Sequence, residues 1–436
     1  MKRDKVRTLI FPFMICIAVC SALSCAPKTR VAVNQLDTPE RHTFTGLKLL
    51  DQEKYADAQR EFKMAIQLNN NYSRAYTGMA MVDIFTNKFN TALDDLTLGS
   101  KYANSDEEKL FVNVARIQYY TISKSDPQWP ALAKKQFDEA VAIDAKHASA
   151  YYFMGLAYKD ALEFNLASQM FTKVIQLKTD HVADADAQLK FLQKVQLAMP
   201  STETGKRVAL TEKLTRADTA ALFMEELKIK NIYNKAAPKA ADLPLKETAK
   251  GSAEVKENER VPAEEKDTKK DSTEVKGNGN VLTDAKETQN VLAGTSLSPQ
   301  PAPVKVLAKD IADQPYKTYI EGILEAGVRG LENDPNGNFN PGEVISRGEY
   351  AIMLEDVMLK LTGENGSAAK HVNAKSLFPD VPSDMPCYDA VMAVTSRGIM
   401  EARNTKTGEF APLKPLSGVE ALMIIRKFKE KLKIID

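Results

Sequence analysis

Residues 151–171 read YYFMGLAYKDALEFNLASQMF. Tyr151, Met154, Gly155 and Tyr158 recur at steps of 3, 1 and 3, and Ala167 and Phe171 follow at steps of 9 and 4. That spacing places the apolar side chains on one face of each of two helices, which must bury them against a neighbour. Gly155 and Ala167 are small where two antiparallel helices approach closely. The same helix-turn-helix pattern recurs upstream. One copy carries Gly46, Ala58, Phe62 and Ala65, and the next, 34 residues on, carries Tyr76, Ala80, Ala92, Leu96 and Gly99. A further copy ends in Ala133, Phe137 and Ala140, its first helix around Glu107 to Thr121 being set apart by the inserted Ser125-Asp126-Pro127-Gln128-Trp129-Pro130. Four such pairs stack into a continuous core that one or two could not build. A helix from Ala183 to Ala198 is placed to cap the stack.

These offsets resemble the tetratricopeptide signature over residues 40–181. The resemblance implies a concave groove, lined by the first helix of each repeat, that binds a segment of another envelope protein. In the second repeat it points to Arg74, Thr77 and Met81, and in the fourth to Ser149, Tyr152, Leu156 and Lys159. Arg74, Tyr152 and Lys159 are the groove residues expected to touch the partner. A stack that serves purely as a spacer, or a generic helical bundle, remains the plainer alternative.

A second pattern closes the chain. Gly327, Phe339 and Glu349 are separated by 12 and 10 residues, as are Gly398, Phe410 and Glu420. Phe339-Asn340-Pro341 parallels Phe410-Ala411-Pro412, and Ile345-Ser346-Arg347-Gly348-Glu349 parallels Leu416-Ser417-Gly418-Val419-Glu420. Ser346 with Glu349 three residues later is a capping box that starts a helix. An earlier copy of the motif is Leu214-Thr215-Arg216-Ala217-Asp218, which lacks the Phe-x-Pro segment.

This pattern resembles the S-layer homology module, with Phe378-Pro379-Asp380-Val381 as the start of the last copy. The resemblance implies three modules, at residues 182–233, 307–363 and 376–432, packed into one pseudo-threefold unit. It also implies non-covalent binding of peptidoglycan or an associated acidic wall polysaccharide. Arg216 and Arg347 are the candidate glycan contacts, because a guanidinium fork matches a sugar carboxylate at a helix start. Gly418 lacks that donor. Arginines that only cap helices or pair with nearby carboxylates are the alternative.

Between the first two modules, residues 234–306 contain no Phe, Tyr or Trp from Asn234 to Pro315 and are rich in Lys, Glu, Ala, Thr and Pro. Such a segment buries too little apolar surface to offset its ordering entropy and is expected to be a disordered, charge-mixed linker. Inserting it in one domain is tolerable, since closure costs only about 0.6 kcal/mol per doubling of loop length.

At the amino terminus Lys2, Arg3, Lys5 and Arg7 precede an apolar run from Leu9 to Ala22, a secretory layout. Ala22-Leu23-Ser24-Cys25 resembles a bacterial lipobox. That implies a signal peptide at 1–24, lipid on Cys25 as membrane anchor, and an N-terminal tether at 25–39. Ala26, where aspartate would favour inner-membrane retention, points to the periplasmic face of the outer membrane. An uncleaved membrane helix is the alternative.

The expected architecture is therefore mainly α: a repeat solenoid followed by a three-module helical domain with a long insertion. Formal net charge is +1, and removing residues 1–24 makes the remainder slightly acidic, which argues against nucleic acid. His42, His147, His181 and His371 are scattered, and no metal motif, phosphate loop or nucleophile elbow occurs. No catalytic residue, metal or cofactor is expected, and the chain reads as a binding protein rather than an enzyme. Asp334-Pro335-Asn336-Gly337-Asn338 only faintly resembles a calcium loop. Two functions fit: a tether between membrane and wall whose repeats recruit a protein, or an assembly scaffold for a secretion or surface complex whose modules bind protein.

Overall fold

The computed structural model describes residues 29–236, 308–363 and 375–434. The signal segment with Cys25 and almost all of the linker lie outside them. Sixteen helices and no strands occur among the described residues, so the architecture is mainly α.

Eight helices form four antiparallel hairpins: α1 (Pro39–Asp51) with α2 (Tyr55–Leu68), α3 (Ser73–Phe85) with α4 (Phe89–Tyr102), α5 (Asp106–Ser123) with α6 (Trp129–Ile143), and α7 (Ala148–Asp160) with α8 (Phe164–Leu177). Local chemistry sets their ends. Thr38 accepts a hydrogen bond from the Arg41 N–H ahead of Pro39, and Ser105 and Glu108 close a capping box on α5. Glu53, Asn87 and Leu162 take left-handed backbone at the hairpin turns.

Each second helix buries the same trio: Ala58, Phe62 and Ala65; Ala92, Leu96 and Gly99; Ala133, Phe137 and Ala140; Ala167, Phe171 and Val174. Phe62 is the wedge between consecutive hairpins. A Cβ on Gly46 of α1 would lie 2.7 Å from its ring, and one on Gly78 of α3 would overlap it. Glycine is required on both sides because the ring occupies the space a side chain would need, and burying such a ring contributes roughly 1.5–3 kcal/mol.

Helix α9 (Val182–Ala198) packs on α8 and on the last helix of the chain. One apolar core therefore runs from Phe171 and Val174 through Leu192 and Val195 to Phe223, Tyr350 and Phe428. The cap of the hairpin stack is also part of the C-terminal domain.

That domain contains α10 (Glu203–Ala209), α11 (Arg216–Glu225), α12 (Ile229–Ala236), α13 (Lys317–Ala326), α14 (Arg347–Thr362), α15 (Tyr388–Ser396) and α16 (Gly418–Lys431). Three segments meet in a ring of backbone hydrogen bonds: Leu214 N–H donates to Leu416 O (2.7 Å), Leu416 N–H to Ile345 O (3.2 Å), and Ile345 N–H to Leu214 O (2.8 Å). All three side chains are buried. Each of these residues lies two positions before one of the helices α11, α14 and α16, so the ring brings three helix starts together. Thr215 and Ser346 close capping boxes with Asp218 and Glu349, and Ser417 accepts from the Glu420 N–H.

Candidate functional site

The first residue of each of those three helices points at the next segment around the ring. Arg216 donates from Nε to Phe339 O (2.7 Å), from Nη1 to Gly330 O (2.8 Å) and from Nη2 to Glu332 O (2.7 Å). Arg347 repeats this one step on, with Nε to Phe410 O (2.9 Å), Nη2 to Glu401 O (2.8 Å) and Nη1 to the Glu420 carboxylate. Each guanidinium also lies 4.8 Å from a buried ring, Phe339 or Phe410. Arg347 is 3% exposed, and burial pulls its pKa below the ordinary guanidinium value against the opposing effect of Glu420.

The third step of the ring has no arginine because there is no room for one. Gly418 N–H donates to Thr211 O (3.0 Å), and a Cβ on Gly418 would overlap the carbonyl oxygen of Val208. What the sequence shows as a missing donor is a backbone-to-backbone seal.

The turns that receive the arginines are themselves held by carboxylates. Asp310 accepts from the Phe339 and Asn340 N–H groups (2.8 and 2.7 Å), and Asp380 from those of Phe410 and Ala411 (2.9 and 2.7 Å). Asn340 and Ala411 take left-handed φ values of 55° and 60°, which aims the carbonyls of Phe339 and Phe410 at the guanidiniums. Asp310 was not singled out from sequence. Its signal was available: it precedes Phe339 by 29 residues, nearly as Asp380 precedes Phe410 by 30.

Beside Arg347 a cavity of about 210 Å³ opens, lined by Glu401, Arg403, Glu420, Met423 and Lys427 among others. Lys427 Nζ lies 2.6 Å from Glu401, and Arg403 is exposed, with Nη1 on Pro415 O (3.2 Å). Arg403 and Lys427 are therefore the solvent-facing cations of this groove, and the sequence motif did not reveal them. The expectation that Arg216 and Arg347 reach out to a glycan meets a different arrangement: their donors are directed inward to carbonyls of the neighbouring segment.

The expected groove residues of the hairpin stack separate in the same way. Arg74 faces an open cavity of about 380 Å³, paired with Glu107 and 5.4 Å from the Phe111 ring. Thr77 is buried, its hydroxyl donating to Ser73 O beside Gly99, and so lines no groove. Tyr152 stacks on His181 with centroids 4.4 Å apart, and Lys159 donates to Gln188 Oε1 (2.9 Å), so α9 and the residue before it cover this end of the face. Asp334 accepts from the N–H groups of Asn336 and Asn338, a turn rather than a cation loop. Among the described residues no group of side chains could hold a metal ion, and no helix is long and apolar enough to cross a membrane. Cys387 is buried against Gly348.

Residues 309–351 and 377–422 match the S-layer homology domain. The chain carries two copies of this module. A stretch of 109 residues, 25% of the chain, is 38% identical to the "Surface-layer 125 kDa protein" of Lysinibacillus sphaericus. The chain spans only 8% of that relative's length. No solved structure matches. Each matched copy contains the aspartate, the Phe-x-Pro turn and the start of the motif helix described above. The match therefore covers the residues that build the clamped turns.

Proposed function

We propose that this protein is a lipid-anchored envelope tether. Lipid on Cys25 holds it to a membrane, at the periplasmic face of an outer membrane. Its C-terminal modules bind peptidoglycan or an attached acidic polysaccharide, with residues 182–233 as a divergent first module, and the hairpin stack recruits a protein. The observation that carries the reading is the groove beside Arg347, where Arg403 of the second matched stretch and Lys427 just beyond it, the latter paired with Glu401, stand over an apolar wall. Such a groove suits a sugar acid, whose carboxylate takes charge-assisted hydrogen bonds while its ring lies on Met423.

The experiment is co-sedimentation of the detergent-purified full chain with sacculi prepared with and without their secondary polymers. Sedimentation that weakens in Arg403→Gln/Lys427→Gln supports the tether. Loss of sedimentation from both preparations points to the second reading, an assembly scaffold whose modules bind protein. One observation favours that alternative: the motif arginines are spent inside the domain. Labelling with a fatty-acid probe that is retained in Cys25→Ser would remove the lipid anchor from the proposal.

A further inference from the structure

The 34-residue register places Glu40, Arg74 and Glu108 at the same station on α1, α3 and α5, the first helices of three successive hairpins. Between them lies the cavity of about 380 Å³. Its apolar wall is Phe44, Leu47 and Tyr72, and Phe44 is 59% exposed, with Lys48 Nζ 4.5 Å from its ring centroid. This is the open part of the face formed by the first helices, since α9 and His181 cover Tyr152 and Lys159 at the other end.

The charges around the opening are unequal. Arg74, the cation lining the cavity, is already paired with Glu107, and Glu108 accepts the N–H groups of Asn104 and Ser105 as the cap of α5. The exposed Glu40 carboxylate, by contrast, stands at the edge of the apolar wall. The Tyr72 hydroxyl registers the balance. Its pKa is raised first by burial and next by Glu40, and the lowering effect of Arg74 is opposed further by Glu108 and Glu107. Helix N-termini contribute about half a positive charge each, which Glu40 meets on α1 and Glu108 on α5, but Glu108 is further engaged by two N–H groups while Glu40 is exposed.

We propose that this groove takes an extended segment of another protein that presents a basic side chain next to an apolar one. The apolar group would sit on Phe44, Leu47 and Tyr72, and the cation would meet Glu40. An acidic segment is disfavoured by the same carboxylates. The inference rests on the reading that the hairpin stack recruits a protein, and it names the chemistry of the segment recruited.

The test selects short random displayed peptides on the detergent-purified full chain and on Glu40→Gln/Phe44→Ala. Both side chains are exposed, so the variant should melt like the parent. Enriched peptides should combine Lys or Arg with an apolar residue and lose roughly tenfold or more in affinity on the variant, as expected when a charge contact and an aromatic anchor go together. Enrichment without basic residues, still lost on the variant, overturns the cationic class while leaving the groove as a protein site. Enrichment that the variant does not affect overturns the site. No enrichment overturns the recruitment reading with it, and parent self-association abolished by Phe44→Ala overturns the proposal in favour of a second copy as occupant.

Discussion

Arg347→Ala separates a clamp from a ligand contact, and the structure sets the size of its effect. The substitution leaves the carbonyls of Phe410 and Glu401 and the carboxylate of Glu420 without their donor, and it uncovers the Phe410 ring. Breaking a buried ion pair from one side costs about 3–5 kcal/mol. Because the Glu420 side chain keeps partial solvent exposure, the lower end, about 3 kcal/mol, applies. At about 2–4 °C per kcal/mol for a domain of this size, the melting temperature should fall by roughly 6–12 °C. Arg347→Lys should recover little of this, since an ammonium cannot address three acceptors in the plane of a fork. Differential scanning calorimetry of the full chain measures it, with sacculus co-sedimentation well below the variant's transition as the companion assay. The clamp predicts a large drop in melting temperature while cold, folded protein keeps most of its wall binding. An unchanged melting temperature together with lost binding would refute the reasoning and return Arg347 to the role of glycan contact.

Gly418→Ala should destabilise the C-terminal domain by several kcal/mol, because its Cβ meets the Val208 backbone, whereas Gly342→Ala, with nothing within 4 Å, should move the thermal midpoint little. Asp380→Ala frees the N–H groups of Phe410 and Ala411 and should cost about 1–3 kcal/mol in urea unfolding, with Asp380→Asn intermediate. Asp95 has a pKa raised to about 6 by burial, then by Asp83 and Asp94. A carboxyl whose folded pKa lies above its ordinary value binds its proton more tightly when folded. Stability of the hairpin stack should therefore rise as pH falls from 7 through 6 toward 4, by at most about 3 kcal/mol and less after solvent screening. Asp95→Asn should raise the pH 7 melting temperature and flatten that profile, and a parent profile that falls with acidification across this window would contradict the assignment.

The hairpins were legible because their information is local. Ala167 and Phe171, or Ala58 and Phe62, announce a helix face by spacing alone, and Gly46 and Gly155 mark where the neighbouring helix must come close. The same holds for the capped helix at Ser346 and for the paired Phe-x-Pro turns. Arg216 and Arg347 were located correctly at helix starts, yet their direction was not legible. Their acceptors lie 54 to 123 residues away along the chain. A guanidinium that faces solvent and one that faces a carbonyl have the same neighbours in sequence.

Sequence by itself determined the helical class, the register of the repeats and the positions of the motif helices, since these follow from periodicity, capping and the steric needs of small residues within a few turns. Only the tertiary structure decided that Gly418 is a seal against Val208 rather than a lost donor, and that α9 closes both the hairpin stack and the C-terminal core. It also decided that Tyr152 and Lys159 are covered while Arg74 faces open space. The reason is physical: whether a polar group is spent or available depends on which distant backbone lies within about 3 Å of it. That distance is set by packing across the core, not by residues adjacent in the chain.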